Sequence, residues 1–361
     1  MSDTLELFLE LAALPSPPGE ERAVADVVRR YLRDLGLQSD EDAFGNLYAR
    51  IAPTAEGTPL FLCSHLDTVP PDGRLEPVVE EGVVRNAGGT ILGADNKSAV
   101  VTMLEGARRV LAEGRPHAGV ELLFTMQEEI GLKGAAAFDH DRLHAQMGYV
   151  YDQAAPIGEI ILGAPWAQAM EVRFHGRAAH SGMFPEEGRS AIQAAARAIA
   201  DLRLGRIDDE TTANVGLISG GTGGNIVPEW CTLSAEARCH DERKLQEIIQ
   251  EMLDAFAFAA TETECEFETE LSKSYNGYRF KRDTDAVELA ASALERCGYE
   301  PTYALSGGAA DANVFNDRGR RCVNLANGMT DIHTPDERIA VADLDAMVDV
   351  TLALIDVARA A

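Results

Sequence analysis

The chain has 361 residues, 46% of them hydrophobic and 25% charged, the composition of an ordinary globular protein, which excludes a disordered or fibrous one. A formal charge of −27 argues against broad contact with nucleic-acid phosphates or anionic lipid, because such binding depends on clustered Lys and Arg. The length predicts two domains, or one large α/β unit with an insertion.

The first residues, MSDTLELFLELAAL, have no basic leader and carry Asp3, Glu6 and Glu10 within their apolar periodicity. They predict an amphipathic helix, not a signal peptide. No apolar run approaches the length of a membrane span, and the expected location is the cytoplasm. The six cysteines are scattered without a CxxC pair, as expected of small buried hydrophobes in a reducing compartment and not of a disulfide frame.

Helical and strand patterns then alternate. A helix is predicted near Glu20–Leu35, strands at Leu47–Ile51 and Leu60–Ser64, a helix from about Asn96 to Glu113, and strands at Val120–Met126 and Gly148–Tyr151. Such alternation predicts an α/β fold with a parallel or mixed sheet covered by helices on both faces, in which ligands gather at the carboxyl ends of strands. The pattern changes over residues 167–281, where strand, helix, two strands, helix and strand follow one another, the βαββαβ order of a ferredoxin-like sandwich. The α/β pattern then returns, with a helix at Thr284–Cys297, a strand at Arg321–Leu325 and a closing helix from Asp343 to Ala360. The expected organisation is a catalytic α/β/α domain formed by 1–166 and 282–361, interrupted by a small inserted domain.

Polar residues suited to chemistry fall where these elements end. In LFLCSHLDTVPP, a strand-like run stops at two prolines after releasing His65 and Asp67, which share a face because side chains in a strand repeat every second residue. Asp95 sits in a glycine-rich turn before a helix, Glu128 and Glu129 follow the strand Val120–Met126, Asp152 follows Gly148–Tyr151, and His333 follows Arg321–Leu325. Two imidazoles and several carboxylates at one sheet edge suit zinc, with cobalt or manganese as alternatives. There are more donors than one zinc needs, and a bridging carboxylate with one histidine and one carboxylate for each ion describes a two-metal site.

His65-Leu66-Asp67-Thr68-Val69, Gly93-Ala94-Asp95-Asn96-Lys97, Glu128-Glu129-Ile130-Gly131, Asp152 and His333 resemble, in order and spacing, the metal-binding segments of the M20 metallopeptidases. The resemblance covers nearly the whole chain. Arg206–Asn214 and Gly220–Val227 are similar to the peptidase T-like, tripeptide aminopeptidase branch. It implies that Asp95 bridges two ions, that His65 and Asp152 complete one site and Glu129 and His333 the other, and that Asp67 orients the His65 ring through its carboxylate. Glu128 is implied to be the general base for the attacking water. In the insertion, read as a lid and dimerisation domain, the resemblance implies that His180 steadies the oxyanion across a homodimer interface, assisted by Asn225, and that Arg238 grips a substrate carboxylate. Gly308 falls in a glycine-rich substrate loop, where Ala309 and Ala310 replace the expected Gly and Ser or Thr. The other histidines, His117, His140, His144, His175 and His240, are expected to be structural or solvated. The implied activity is removal of the N-terminal residue from short peptides, with no nucleic-acid or membrane partner. The alternatives are an M20-type deacylase or amidase acting on N-acyl amino acids and a non-catalytic metal-binding homologue.

Overall fold

The computed structural model describes residues 3–360; Met1, Ser2 and Ala361, which end the two expected catalytic segments, lie outside the described residues. The chain divides into two compact units, Met1–Gly163 with Arg279–Ala361, and Ala164–Tyr278.

The first unit is built on a mixed sheet. Its order runs Ser39–Glu41, Leu47–Ile51, Val120–Thr125, Leu60–His65, Met147–Gln153, Arg321–Ala326, Glu159–Ala164, and Thr302–Leu305 pairs parallel to the last. Leu60–His65 is parallel to both of its neighbours, in register from Leu60 opposite Val120 to His65 opposite Thr125. Leu47–Ile51 is antiparallel to Val120–Thr125, and Glu159–Ala164 to Arg321–Ala326. Every residue of Leu60–His65 and of Val120–Thr125 is buried, as expected of strands covered on both faces, and both read as largely apolar and not as alternating, with the one carboxylate, Glu121, satisfied by the Tyr48 hydroxyl and the N–H groups of His144 and Ala145.

The helix Ala94–Ala112 is buried at every residue from Ala94 to Ala107. A Cβ at Gly106 would lie 3.1 Å from Thr351 Cγ2, so the absence of a side chain there admits the closing helix Val341–Ala360. The helix starts close to where the sequence predicts: Asp95 and Asn96 depart from helical dihedrals, and regular geometry begins just after them. A small three-stranded sheet of Pro77–Glu80, Val83–Asn86 and Arg338–Ala340 was not expected from the sequence.

The second unit is a five-stranded antiparallel sheet in the order Gly205–Asp208, Thr211–Gly220, Trp230–Cys239, Trp166–His175, Glu266–Tyr275. Period-two burial is clear in Trp230–Cys239, where Cys231, Leu233, Ala235, Ala237 and Cys239 are buried and the residues between are not. Those residues and Met170, Val172 and Phe174 pack with the buried faces of the helices Ala191–Asp201 and Glu242–Glu262. Ser190 and Asp241 cap these helices by accepting from the N–H groups of Gln193 and Lys244. Gly205–Asp208 is an addition to the expected βαββαβ order; it forms a tight hairpin in which Asp208 accepts from the N–H of Glu210. No helix among the described residues is long and apolar enough to cross a membrane.

Candidate metal centre

Three parallel strands deliver the first donors. His65 is the last residue of Leu60–His65 and is buried. Its Nδ1 lies 2.9 Å from the backbone carbonyl oxygen of Asp67, and its Nε2 faces Asp95 Oδ1 at 3.2 Å and Asp152 Oδ1 at 3.7 Å. Asp152 lies inside the strand Met147–Gln153 and not beyond it. Asn324, on the adjacent strand, holds it with both ends of its amide: Oδ1 accepts from the Asp152 N–H, and Nδ2 donates to the Asp152 carbonyl, each at 2.9 Å.

The chain turns after Val120–Thr125 through Gln127, whose φ of +55° is in the left-handed region, and Glu128 and Glu129 follow. Asp67 fixes this turn. Its fully buried carboxylate accepts from the N–H of Glu128 at 2.9 Å and of Glu129 at 3.0 Å. The expected contact from the Asp67 carboxylate to the His65 ring is the longer one, 3.4 Å, so the ring is oriented chiefly by the Asp67 carbonyl while the carboxylate serves the backbone of the two glutamates.

Asp95 comes from the loop that enters the long helix, after Gly93 at φ +76°, and the Asp95–Asn96 peptide bond is cis. Glu337, buried, accepts three backbone N–H groups of this loop: those of Leu92 and Gly93 at Oε2, both at 2.8 Å, and that of Asp95 at Oε1, at 2.9 Å. Asp95 presents one oxygen to each histidine, Oδ1 to His65 and Oδ2 to His333 Nε2 at 3.1 Å. His333, half exposed and at φ +62°, also meets Glu129 Oε1 at 3.2 Å.

The structure thus brings together all five expected ligands and Glu128. Their donor atoms form three groups lying within 4.8 Å of one another: His65 with Asp95 and Asp152, Asp95 with Glu129 and His333, and His65 with Glu128 and Glu129. The donor set fits divalent cations. Bonds of about 2.1 Å in a tetrahedron put neighbouring donors about 3.4 Å apart, close to the separations seen here. Charge points the same way. Burial works against protonation of His65, but hydrogen bonds with Asp152, Asp67 and Asp95 outweigh it and push its pKa well up. Hydrogen bonds with Asp95 and then Glu129 raise His333 to about 10. Burial, then the charge of Asp95, pushes Asp152 up to about 7, and burial above all drives Glu128 well above the carboxylate range. A pocket that holds protons so firmly has surplus negative charge for a cation to neutralise.

Sequence reasoning missed Glu337, Asn324 and Asp311. Asp311 opens the helix Asp311–Asp317 just after the Gly308 loop; it is buried, accepts from Thr125 Oγ1, lies 3.7 Å from Cys63 Sγ, and is pushed up to about 6 by burial. The only available signal was an acidic residue after a glycine-rich loop. Gly308 itself donates its N–H to Ser306 Oγ.

The expected residues of the second unit lie within that unit. His180 is exposed, with Nδ1 accepting from the N–H groups of Gly182 and Met183, and its segment is tied to that of Asn225 by the bond from Ser181 N–H to the Asn225 carbonyl. Arg238 is partly buried and forked onto Glu236 at 3.0 and 3.1 Å.

Comparison with known proteins gives two family matches, the M20 peptidase dimerisation domain over residues 167–264 and peptidase family M28 over residues 46–156. The uncharacterized protein YqjE of Bacillus subtilis is 37% identical over 360 residues, which is 98% of this chain and 97% of that one. The crystal structure of aminopeptidase PepT from Bacillus cereus superposes with a TM-score of 0.89 at 36% identity, covering 98% of both chains. That of a tripeptidase from Staphylococcus aureus gives 0.94 at 33% identity, covering 99% of this chain and 98% of the other.

Proposed function

The chain belongs to the M20 metallopeptidases, in the peptidase T-like branch, and on that premise we propose that it removes the N-terminal residue from short peptides, tripeptides foremost, with two divalent cations as cofactors. The observation that carries this reading is the division of the Asp95 carboxylate between His65 and His333. His65 and Asp152 would hold one ion, Glu129 and His333 the other, with Asp95 shared. Zinc suits this mixed imidazole and carboxylate set, and cobalt or manganese could replace it. Bound there, the cations supply Lewis acidity that polarises the scissile carbonyl and lets water lose a proton near neutral pH.

Glu128 stands beside these donors without being needed by either set. Its part is to take the proton of the attacking water and hand it to the leaving amine. Burial gives the carboxylate a raised affinity for that proton, which suits a group that must first accept it and then release it. Asp67 keeps the backbone of Glu128 and Glu129 in place, so that the base and its neighbouring ligand share one orientation.

In the second unit, Arg238 is assigned to the substrate carboxylate, for which its planar fork is suited, and would exchange Glu236 for it. His180, with Asn225, is assigned to the oxyanion, supplied across a homodimer through the dimerisation domain. Gly308 is assigned to the substrate backbone.

The test restores the chelated protein one metal at a time and assays di-, tri- and tetrapeptides beside N-acyl amino acids. Release of the N-terminal residue from tripeptides is expected. Hydrolysis confined to N-acyl amino acids would instead make the protein a deacylase, and metal uptake without any hydrolysis a silent homologue.

A further inference from the structure

Glu337 lies outside both donor sets, yet both of its carboxylate oxygens are committed to the loop that carries Asp95. It takes the N–H groups of Leu92, Gly93 and Asp95 at 2.8 to 2.9 Å, and is 1% exposed. Burying a carboxylate is costly unless it is paired or fully hydrogen-bonded, and here the compensation comes from backbone donors and not from an ion pair. Such a group is a poor choice for stability alone. Its value lies in what it joins. Glu337 follows His333 by four residues, and Arg338 closes the intervening turn through two backbone bonds with Thr330. The segment that ends in Glu337 therefore brings His333 to Asp95 Oδ2 while its last carboxylate fixes the backbone of Asp95 itself. Gly93, in the middle of the clasp, is at φ +76°, and a Cβ there would lie 3.2 Å from Thr68 Cγ2, so the loop needs a glycine here, the residue with the most backbone freedom, and the N–H bond to Glu337 restrains it.

We propose that Glu337 is a positioning residue that fixes the separation of Asp95 and His333, so that the two cation sites fill as a pair. This rests on the assignment of Asp95 as the shared ligand. Without the clasp, Asp95 can still serve His65, which the strand Leu60–His65 holds independently, but no longer keeps its second oxygen aimed at His333. The ion held by Glu129 and His333 is then the one weakened.

The experiment titrates Co2+ into the chelated wild-type protein and into Glu337→Gln, following the visible absorption of each bound ion, with calorimetry for stoichiometry. The wild type is expected to take two ions. In Glu337→Gln, one amide end presents a donor to backbone donors, and the second ion is expected to bind roughly 10- to 100-fold more weakly while the first changes little. Glu337→Asp, which keeps the charge but shortens the reach, carries the same test if the amide variant fails to fold and should also weaken the second ion. Two ions bound as in the wild type, or both weakened to the same extent, would overturn the proposal. A wild-type protein that takes up a single ion would remove the shared ligand itself, a result distinct from either and equally fatal to this assignment.

Discussion

The carboxylate of Asp67 accepts the backbone N–H of Glu128 at 2.9 Å, and its second oxygen accepts that of Glu129 at 3.0 Å. One buried side chain thereby sets the orientation of two consecutive glutamates with different assignments. Asp67→Asn replaces one acceptor with a donor facing an N–H group, and Asp67→Ala leaves both N–H groups without a partner, at about 1–3 kcal/mol each. Both variants should lose cation affinity by roughly 10- to 100-fold, with a matching fall in activity that excess metal partly restores. Equilibrium dialysis beside peptide assays checks this.

Glu128→Gln keeps the shape of the side chain and removes the base. Activity should fall by roughly 10²- to 10⁴-fold while both ions remain bound. Because Glu128 also lies within reach of His65 and Glu129, metal analysis is the deciding measurement: a variant that loses an ion would make Glu128 a ligand.

In the metal-free protein, the surrounding carboxylates raise the proton affinity of His65 and His333, and burial, then the charge of Asp95, raises that of Asp152. Ligation requires each of them to give up its proton, so cation uptake should release protons and tighten as pH rises. Calorimetry in buffers of different ionisation enthalpy measures the release. The same shifts fix the sign for stability. His333 has a folded pKa of about 10, above its unfolded value, so its contribution is complete below the unfolded value and is lost as pH rises through about 10. Asp152, raised to about 7, loses its contribution as pH rises through about 7. The metal-free protein should therefore melt at falling temperatures from about pH 5 to about pH 9, and metal loading should flatten that slope.

Gly134→Ala tests the turn behind the glutamates. A Cβ there would lie 2.2 Å from the Met126 carbonyl oxygen and 2.6 Å from Asn46 Oδ1, which accepts the Met126 N–H. The backbone must shift, and a loss of about 1–3 kcal/mol in denaturant unfolding is expected.

Part of the centre is legible in the sequence because a buried strand ends in a group that cannot stay buried alone, whereas Asp95, in a turn, and His333, seven residues beyond Ala326, are legible through the family resemblance. Leu60–His65 is apolar up to Ser64, and Val120–Thr125 is apolar apart from Glu121 and its last residue, so His65 and the two glutamates that follow the second strand stand out. Glu337 and Asn324 did not, because their partners are backbone N–H and C=O groups, which a sequence does not display. The small sheet of Pro77–Asn86 with Arg338–Ala340, and the hairpin strand Gly205–Asp208, were missed because three- and four-residue strands carry too little periodicity to register. Asp67 was legible as a neighbour of His65 but not as the support of Glu128, since that contact spans 61 positions.

His65, Asp95, Glu129 and Asp152 all precede the compact unit Ala164–Tyr278, whereas His333 follows it. During translation, four donors emerge first, three of them acidic, and the closing imidazole only after more than a hundred further residues have been made and condensed into their own sheet. The nascent pocket is thus rich in repulsion and open on one side until late, and its last closure is a long-range event of the slow kind. Metal capture would accordingly come near the end of maturation, not during elongation.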